Sequence, residues 1–453
     1  MAKSLYEQTL EAINNKEARV CIIGLGYVGL PLAIECLNAG FKVDGYDVSK
    51  KKVELLKSGK SDVLDVPSAE VKKYIDSGDF RVSTDTQIIK DGLILPICVP
   101  TPLSKSHEPD VSYIESALAD IIPKMQEGSM VVLESTTYPG TTQELIRERL
   151  EEHGFKDGEN VFIAYSPERV DPGNPKYQTH NTPKVVGSDF DTSRKIAEVF
   201  YKSVLESVVP VSSSMSAEMV KLLENTFRSV NIALVNELAQ MCELLEIDVW
   251  EVIDAASSKP FGFMPFYPGP GVGGHCIPID PQYLSWKMKS HKYFSRFIEL
   301  ASDVNANMPR YVVIQLMEFL NRNGIALTGS KVLMVGIAYK RDISDVRESP
   351  ALDIMELLEQ KGVDISYHDP FVDAIRWTGD SLKRNTPLDD KNIADYDCIL
   401  IATDHTDIDY KMIFEKAKYI FDTRNVFAKH IPHEELAKTD KIKIVGWGND
   451  KID

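Results

Sequence analysis

The chain has 453 residues, 43% of them apolar and 26% charged, which is the make-up of an ordinary soluble protein long enough for two or three domains. A formal net charge of −17 argues against a nucleic-acid or anionic-membrane surface. It leaves anionic small molecules open, because glycine-rich loops and helix N-termini bind phosphate without net positive charge. The six cysteines lie far apart with no CxxC pair, so neither a disulfide framework nor a metal site is expected. The polar N-terminus has no apolar leader and no apolar run approaches a membrane span, so a cytoplasmic protein without a membrane partner is expected.

After a leading helix, residues 19–23 form a short apolar run of buried-strand type. It opens into Gly24-Leu-Gly26-Tyr-Val-Gly29-Leu-Pro31 and an amphipathic segment ending at Gly40. A second strand, 41–46, closes on Asp47. Strand, GxGxxG, helix, strand and acid in that order make the dinucleotide fingerprint. Gly24 suits the tight turn, Gly26 the approach of a pyrophosphate, and Gly29 close helix–strand packing. Asp47 suits the ribose hydroxyls and repels a 2′-phosphate, so NAD is expected rather than NADP. Tyr27 and Val28 lie inside the same turn. Lys52, at the next helix start, either reaches the cofactor or is a solvated lysine.

Further strands at 93–99, 130–133 and 161–165 run into the loops carrying Thr101, Thr137 and Glu168. Ligands of open α/β sheets sit beyond the carboxyl ends of strands, so all three are placed to face one crevice. The alternatives are turn or N-cap duty for the threonines and a solvated loop position for Glu168. Residues 212–251 read as continuous helix, with Leu222, Phe227, Val230, Leu234, Leu238, Met241 and Leu245 at three- and four-residue steps. A helix of that length joins domains or builds a subunit interface. Lys221 and Asn225, four apart, share one face and offer donors to a developing oxyanion, or else form a hydrated polar stripe.

Residues 269–280, GPGVGGHCIPID, hold Cys276 on a stiff, side-chain-poor loop. That suits a nucleophile meeting a substrate carbon, though an ordinary buried cysteine is the competing reading. His275 either tunes the thiol or packs. Helices are expected at 283–288 and from 294 past Pro309 to 323. A second βα series starts at 331–336 with one glycine where the first has three, as in a Rossmann-like domain that binds no dinucleotide. Lys340, Arg341, Arg347 and Arg424 at its strand ends suit a phosphate-bearing ligand, or pair with Asp342, Asp345 and Glu348.

These features in this order resemble the UDP-glucose/GDP-mannose dehydrogenase family over nearly the whole chain. The matching stretches are GLGYVGLP, the TPL turn, ESTTYPGTT, SPER, the Lys221/Asn225 helix, GGHCIPID, AYKRDISDVRESP and DTRN. The resemblance implies an α/β fold of two Rossmann-like domains, parallel sheets with helices on both faces, joined by a long central helix. It divides the chain into an NAD-binding domain (1–211), a central helical dimerisation domain with the cysteine loop (212–323) and a UDP-sugar-binding domain (324–453).

It further implies oxidation of a UDP-hexose C6 alcohol to the acid, with Cys276 trapping the aldehyde as a thiohemiacetal that becomes a thioester. Lys221 and Asn225 would stabilise oxyanions, Asp280 and Thr137 would position water, and Glu168 would be the base for thioester hydrolysis. Gly24, Gly26, Tyr27, Val28, Gly29, Asp47, Lys52, Thr101 and Thr137 would hold NAD. Glu168, Arg169, Lys221, Asn225, Phe266, Tyr267, Gly271, Gly273, Tyr339, Lys340 and Arg424 would hold the sugar nucleotide. A homodimer or higher oligomer is implied.

The stretch around FGFMPFYPGPGVGGHCIPID looks like the branch acting on UDP-N-acetylglucosamine. Many relatives carry an arginine shortly before the cysteine loop that reaches the neighbouring subunit; this chain reads Ser258-Lys259-Pro260 there. Rival readings are the same chemistry on UDP-glucose, UDP-N-acetylmannosamine or UDP-N-acetylgalactosamine, a two-electron dehydrogenase that needs no thiol, and an NAD-sensing binding protein without turnover.

Overall fold

The computed structural model describes residues 3–448 apart from 64, 105–107, 172, 173, 175 and 275, so the question raised at His275 lies outside the described residues. The chain divides into two compact units, Met1–Glu224 with Gln282–Tyr293, and Asn225–Pro281 with Phe294–Asp453.

The first unit is built on eight strands: β1 (Val20–Ile23), β2 (Val43–Tyr46), β3 (Phe80–Ser83), β4 (Ile94–Ile97), β5 (Met130–Leu133), β6 (Phe162–Tyr165), β7 (Lys184–Gly187) and β8 (Val208–Val211). Their order is β3-β2-β1-β4-β5-β6-β7-β8, with every pair parallel except β6 and β7, which meet antiparallel at Tyr165 and Gly187. The first six follow the doubly wound dinucleotide order, and its switch point lies between β1 and β4. Strands β1, β2, β4, β5, β6 and β7 are buried at every residue, as a sheet covered on both faces requires. Alternate residues serve opposite faces: Ile22, Val132 and Phe162 enter one apolar cluster, Ile23, Leu133 and Ile163 the other.

The second unit holds β9 (Lys331–Val335), β10 (Asp364–His368), the hairpin of β11 (Ala374–Arg376) and β12 (Leu382–Arg384), then β13 (Cys398–Ile401), β14 (Ile420–Asp422) and β15 (Ile442–Ile444). Its five-stranded parallel sheet runs β10-β9-β13-β14-β15. The first turn of this sheet repeats that of the first. Gly24 (φ 92°) donates its N–H to Tyr46 O at 2.8 Å, and Gly336 (φ 80°) donates to His368 O at 2.8 Å. Leu25 N–H is then accepted by Asp47, and Ile337 N–H by Asp369.

The long helix runs Ser214–Leu244, ending short of the continuous stretch to 251 that periodicity suggested. Glu246 takes a left-handed φ of 58°, and Asp248 starts a new helix, Val249–Ser257, by accepting the N–H of Trp250 at 2.8 Å. Apolar spacing alone does not register such a break, because the new helix resumes the same residue types. The expected helix across Pro309 does form, as Arg296–Arg322. No helix among the described residues is long and apolar enough to cross a membrane.

Candidate active site

In the first unit the glycine turn has the shape a dinucleotide needs. A methyl group on Gly29 would stand 1.9 Å from Gly24 O, so the helix Gly29–Asn38 can start against the strand only without a side chain there. A methyl on Gly24 would meet Cys98 O at 2.6 Å, across the switch point. At Gly26 nothing lies within 4 Å of that position, which leaves the backbone open to a pyrophosphate. Asp47 is half-buried at the end of β2 and is fixed by the N–H groups of Leu25 (2.9 Å) and Ser49 (2.8 Å), with lone pairs remaining for ribose hydroxyls. These residues fit NAD. Tyr27 is exposed and Val28 half-buried on the same turn, whereas Lys52 is engaged by Asp62.

The strand-end loops of this unit are tied to one another. Thr101 Oγ1 donates to Thr136 O at 2.6 Å, and Thr101 O accepts from the Tyr283 hydroxyl. Thr137 is 1% exposed and its hydroxyl has no protein partner, an orphaned polar atom that suits a water or ligand. Buried Glu218 holds this loop by accepting from Gly140 N (2.5 Å), Thr142 N (2.9 Å) and Thr142 Oγ1 (2.7 Å), and burial pushes its pKa up. Lys221 Nζ donates to the backbone carbonyl of Glu168 at 2.6 Å, leaving two of its three protons for another acceptor. Glu168 Oε1 accepts from Arg169 N and Val170 N, both at 2.7 Å. The Arg169 guanidinium is committed to Glu224 and to Pro183 O.

Sequence reasoning missed a buried charge cluster beneath these loops. Lys184 opens β7, 6% exposed, and pairs with Glu134 at the end of β5; the Tyr201 hydroxyl donates to the other Glu134 oxygen. Burial raises the Glu134 pKa against the pull of Lys184. Burial also opposes the Lys184 ammonium, but the carboxylates of Glu134 and Glu168 more than offset it and hold its pKa above the ordinary value. The one signal in the sequence was a lysine heading the apolar run Val185-Val186, and a strand-end lysine is usually solvated.

In the second unit the cysteine loop is fastened from below and packed from above. Gly269 N–H donates to Asn236 Oδ1 at 2.9 Å, Asn236 donates to Asn305 Oδ1 at 2.9 Å, and Asn305 donates to Ser229 O at 3.2 Å. Gly274, at φ 81°, donates to Arg347 O at 3.0 Å. Methyl groups on Gly269, Gly271, Gly273 and Gly274 would strike Arg424, Pro350, Tyr339 and Tyr339 at 2.7, 2.9, 2.6 and 2.9 Å. The structure therefore gathers the glycine loop, Tyr339 and Arg424 in one place. Phe266 packs edge-on against Phe227 at 5.8 Å, and Tyr267 stacks on Trp250 while donating to Asp254 at 2.7 Å.

Cys276 is half-buried, whereas the other five cysteines are buried. Its carbonyl accepts from Ile279 N (3.2 Å) and Asp280 N (2.8 Å), so the residue stands one turn before the helix Asp280–Ser290. Buried Asn225 donates to buried Asp280, joining two of the predicted residues. Lys340 is half-buried. Arg347 pairs with Asp345 (2.6 Å), as the ion-pair alternative had it, whereas Arg341 pairs with Asp404, a partner that alternative did not name.

Profiles of the UDP-glucose/GDP-mannose dehydrogenase family match residues 18–205 (NAD binding domain), 215–307 (central domain) and 333–429 (UDP binding domain). The chain belongs to this family. It is an NAD-dependent UDP-sugar dehydrogenase. The dehydrogenase is 35% identical to the UDP-N-acetyl-D-mannosamine dehydrogenase of Methanococcus maripaludis strain C7, over 95% of this chain and 97% of the relative. It is 35% identical to the UDP-N-acetyl-D-glucosamine 6-dehydrogenase of Salmonella typhi, over 86% and 90%. Among solved structures, the UDP-D-ManNAc dehydrogenase of Pyrococcus horikoshii superposes with a TM-score of 0.85 at 31% identity, covering 95% of this chain and all of that one.

Proposed function

We propose that this dehydrogenase oxidises the C6 hydroxyl of a UDP-2-acetamido-hexose to the carboxylate through a covalent Cys276 intermediate. UDP-N-acetylglucosamine is the expected substrate, and its N-acetylmannosamine epimer, named for several relatives, is the nearest competitor. The observation that carries the reading is the half-buried thiol on a loop whose glycines lie against Tyr339 and Arg424. NAD, when bound at the Gly24–Gly29 turn, accepts the hydride at each oxidation level.

On this reading Cys276 Sγ adds to the C6 aldehyde carbon, and the Lys221 ammonium and Asn225 amide meet the charge that develops on oxygen. The adduct loses its C6 hydrogen to become a thioester. A water positioned by Thr137 and Asp280 then gives a proton to Glu168 as its oxygen bonds to the acyl carbon. The C–S bond breaks and its electron pair returns to sulfur. Tyr339, Lys340, Arg424 and the 266–273 loop would hold the UDP-sugar. The proposal keeps the three-part division at 211 and 323, which follows the change from βα alternation to helices and back. A panel of UDP-hexoses with product mass tests it. The acetamido sugars should each release two NADH per molecule and yield the uronic acid; one NADH with an aldehyde or ketone product would refute the four-electron chemistry.

The reading includes a homodimer. Phe227, Leu234 and Met241, each two helical turns apart on Ser214–Leu244, are 45%, 52% and 46% exposed. A row of large apolar side chains open to water marks an interaction face. Leu234→Glu is expected to shift the protein from dimer to monomer by light scattering; an unchanged mass would place the interface elsewhere.

A further inference from the structure

We infer that Lys184, held by Glu134 and Tyr201, is the positioning residue that fixes Glu168 for the hydrolytic half of the reaction. This rests on the reading of Glu168 as the base. Two oxygens of Glu168 are treated differently. Oε1 is taken by two backbone N–H groups at 2.7 Å, and Oε2 lies 3.9 Å from Lys184 Nζ. At that separation the ammonium acts on the carboxylate through its charge but does not occupy a lone pair, so Oε2 stays able to take a proton from water.

The cation is itself immobile. Its side chain is 7% exposed, it is paired with the fully buried Glu134, and it stands 5.6 Å from the centre of the Tyr201 ring. Tyr201, on the helix Asp191–Lys202, fixes Glu134 in turn. Burying a lysine and a glutamate within a sheet core is poorer for stability than burying two apolar residues of the same size. Stability therefore gives no reason for the pair, and the position of Oε2 does. Strand direction supplies the geometry: β7 runs antiparallel to β6, which brings its first residue to the carboxyl end of β6, where the Ser166-Pro167-Glu168 loop begins.

The test uses the full-length enzyme with NAD and a UDP-sugar that it turns over. Lys184→Met should keep the rapid burst of two NADH per active site and the kcat/KM for the sugar, while steady-state kcat falls on the order of 10²-fold and KM falls with it. The acyl adduct on Cys276 should then accumulate, as seen by intact-protein mass spectrometry, and Lys184→Arg should restore part of the rate. If Lys184→Met does not fold, the double variant Lys184→Met/Glu134→Gln removes both buried charges at nearly constant volume and should give the same adduct. Burst and steady state falling together, or a wild-type rate without adduct, would overturn the inference. Glu168→Gln separates the two layers. It should trap the adduct by itself; if it traps none, the base assignment fails. If it traps adduct and the lysine variants do not, the role of Lys184 alone fails.

Discussion

Cys276→Ala is expected to end uronic acid formation, lowering kcat on the order of 10³-fold or more, with NAD affinity and melting temperature unchanged. The affinity should hold because the dinucleotide turn is built entirely from residues of the first unit, and Cys276 belongs to the second. Stability should hold because the side chain is half-buried and the loop is fastened by Asn236, Asn305 and the Arg347 carbonyl. Cys276→Ser distinguishes covalent from general polar roles. A hydroxyl fills the same space but is a far weaker nucleophile at neutral pH. Steady-state NADH production by the Ser variant at the wild-type rate would remove the cysteine from the mechanism.

The second large effect is expected at the glycine turn, where two neighbouring positions should fail in different ways. Gly29→Ala puts a carbon 1.9 Å from a backbone oxygen, and no rotamer relieves that clash. The helix start must move, at a cost of about 3 kcal/mol or more, so thermal unfolding should come several degrees earlier and NAD binding should be lost with it. Gly26→Ala meets nothing in the protein and should melt normally. Its methyl projects into the space left for the pyrophosphate, so NAD affinity alone should fall. Calorimetry of both variants decides the matter: a Gly26→Ala protein that binds NAD normally would mean the cofactor does not approach this turn.

The dinucleotide turn was legible in the sequence because its chemistry is local. Glycine spacing, flanking apolar runs and the terminal acid lie within one βαβ unit, and the hydrogen bond from Leu25 to Asp47 closes it. The residues of the Gly269–Gly274 loop by themselves show only a rigid element; its grouping with Tyr339 and Arg424 came from the family resemblance, since those contacts join residues tens to more than a hundred positions apart. Lys184 shows the limit most clearly. Beyond the two valines that follow it, nothing beside it in the chain marks it as buried; that follows from the reversal of direction between β6 and β7, and strand direction leaves no mark on composition. The end of the long helix at Leu244 was hidden for a different reason, because Glu246 adopts a left-handed backbone without being glycine or asparagine.

The repeated first turn of the second unit also differs from the first at one atom group. Ala338 stands where Gly26 does in the first turn. It is fully buried, and its N–H is already given to Asp369 at 3.0 Å. That turn is closed on itself, so of the two turns only the Gly24–Gly29 one is open to a dinucleotide, while the proposed reaction consumes two cofactors. The spent cofactor must depart and a fresh one arrive with the sugar half oxidised. Under the proposed mechanism a bond to Cys276 would work as a tether during that exchange, so the closed turn in one domain would give a reason for the covalent chemistry proposed for another.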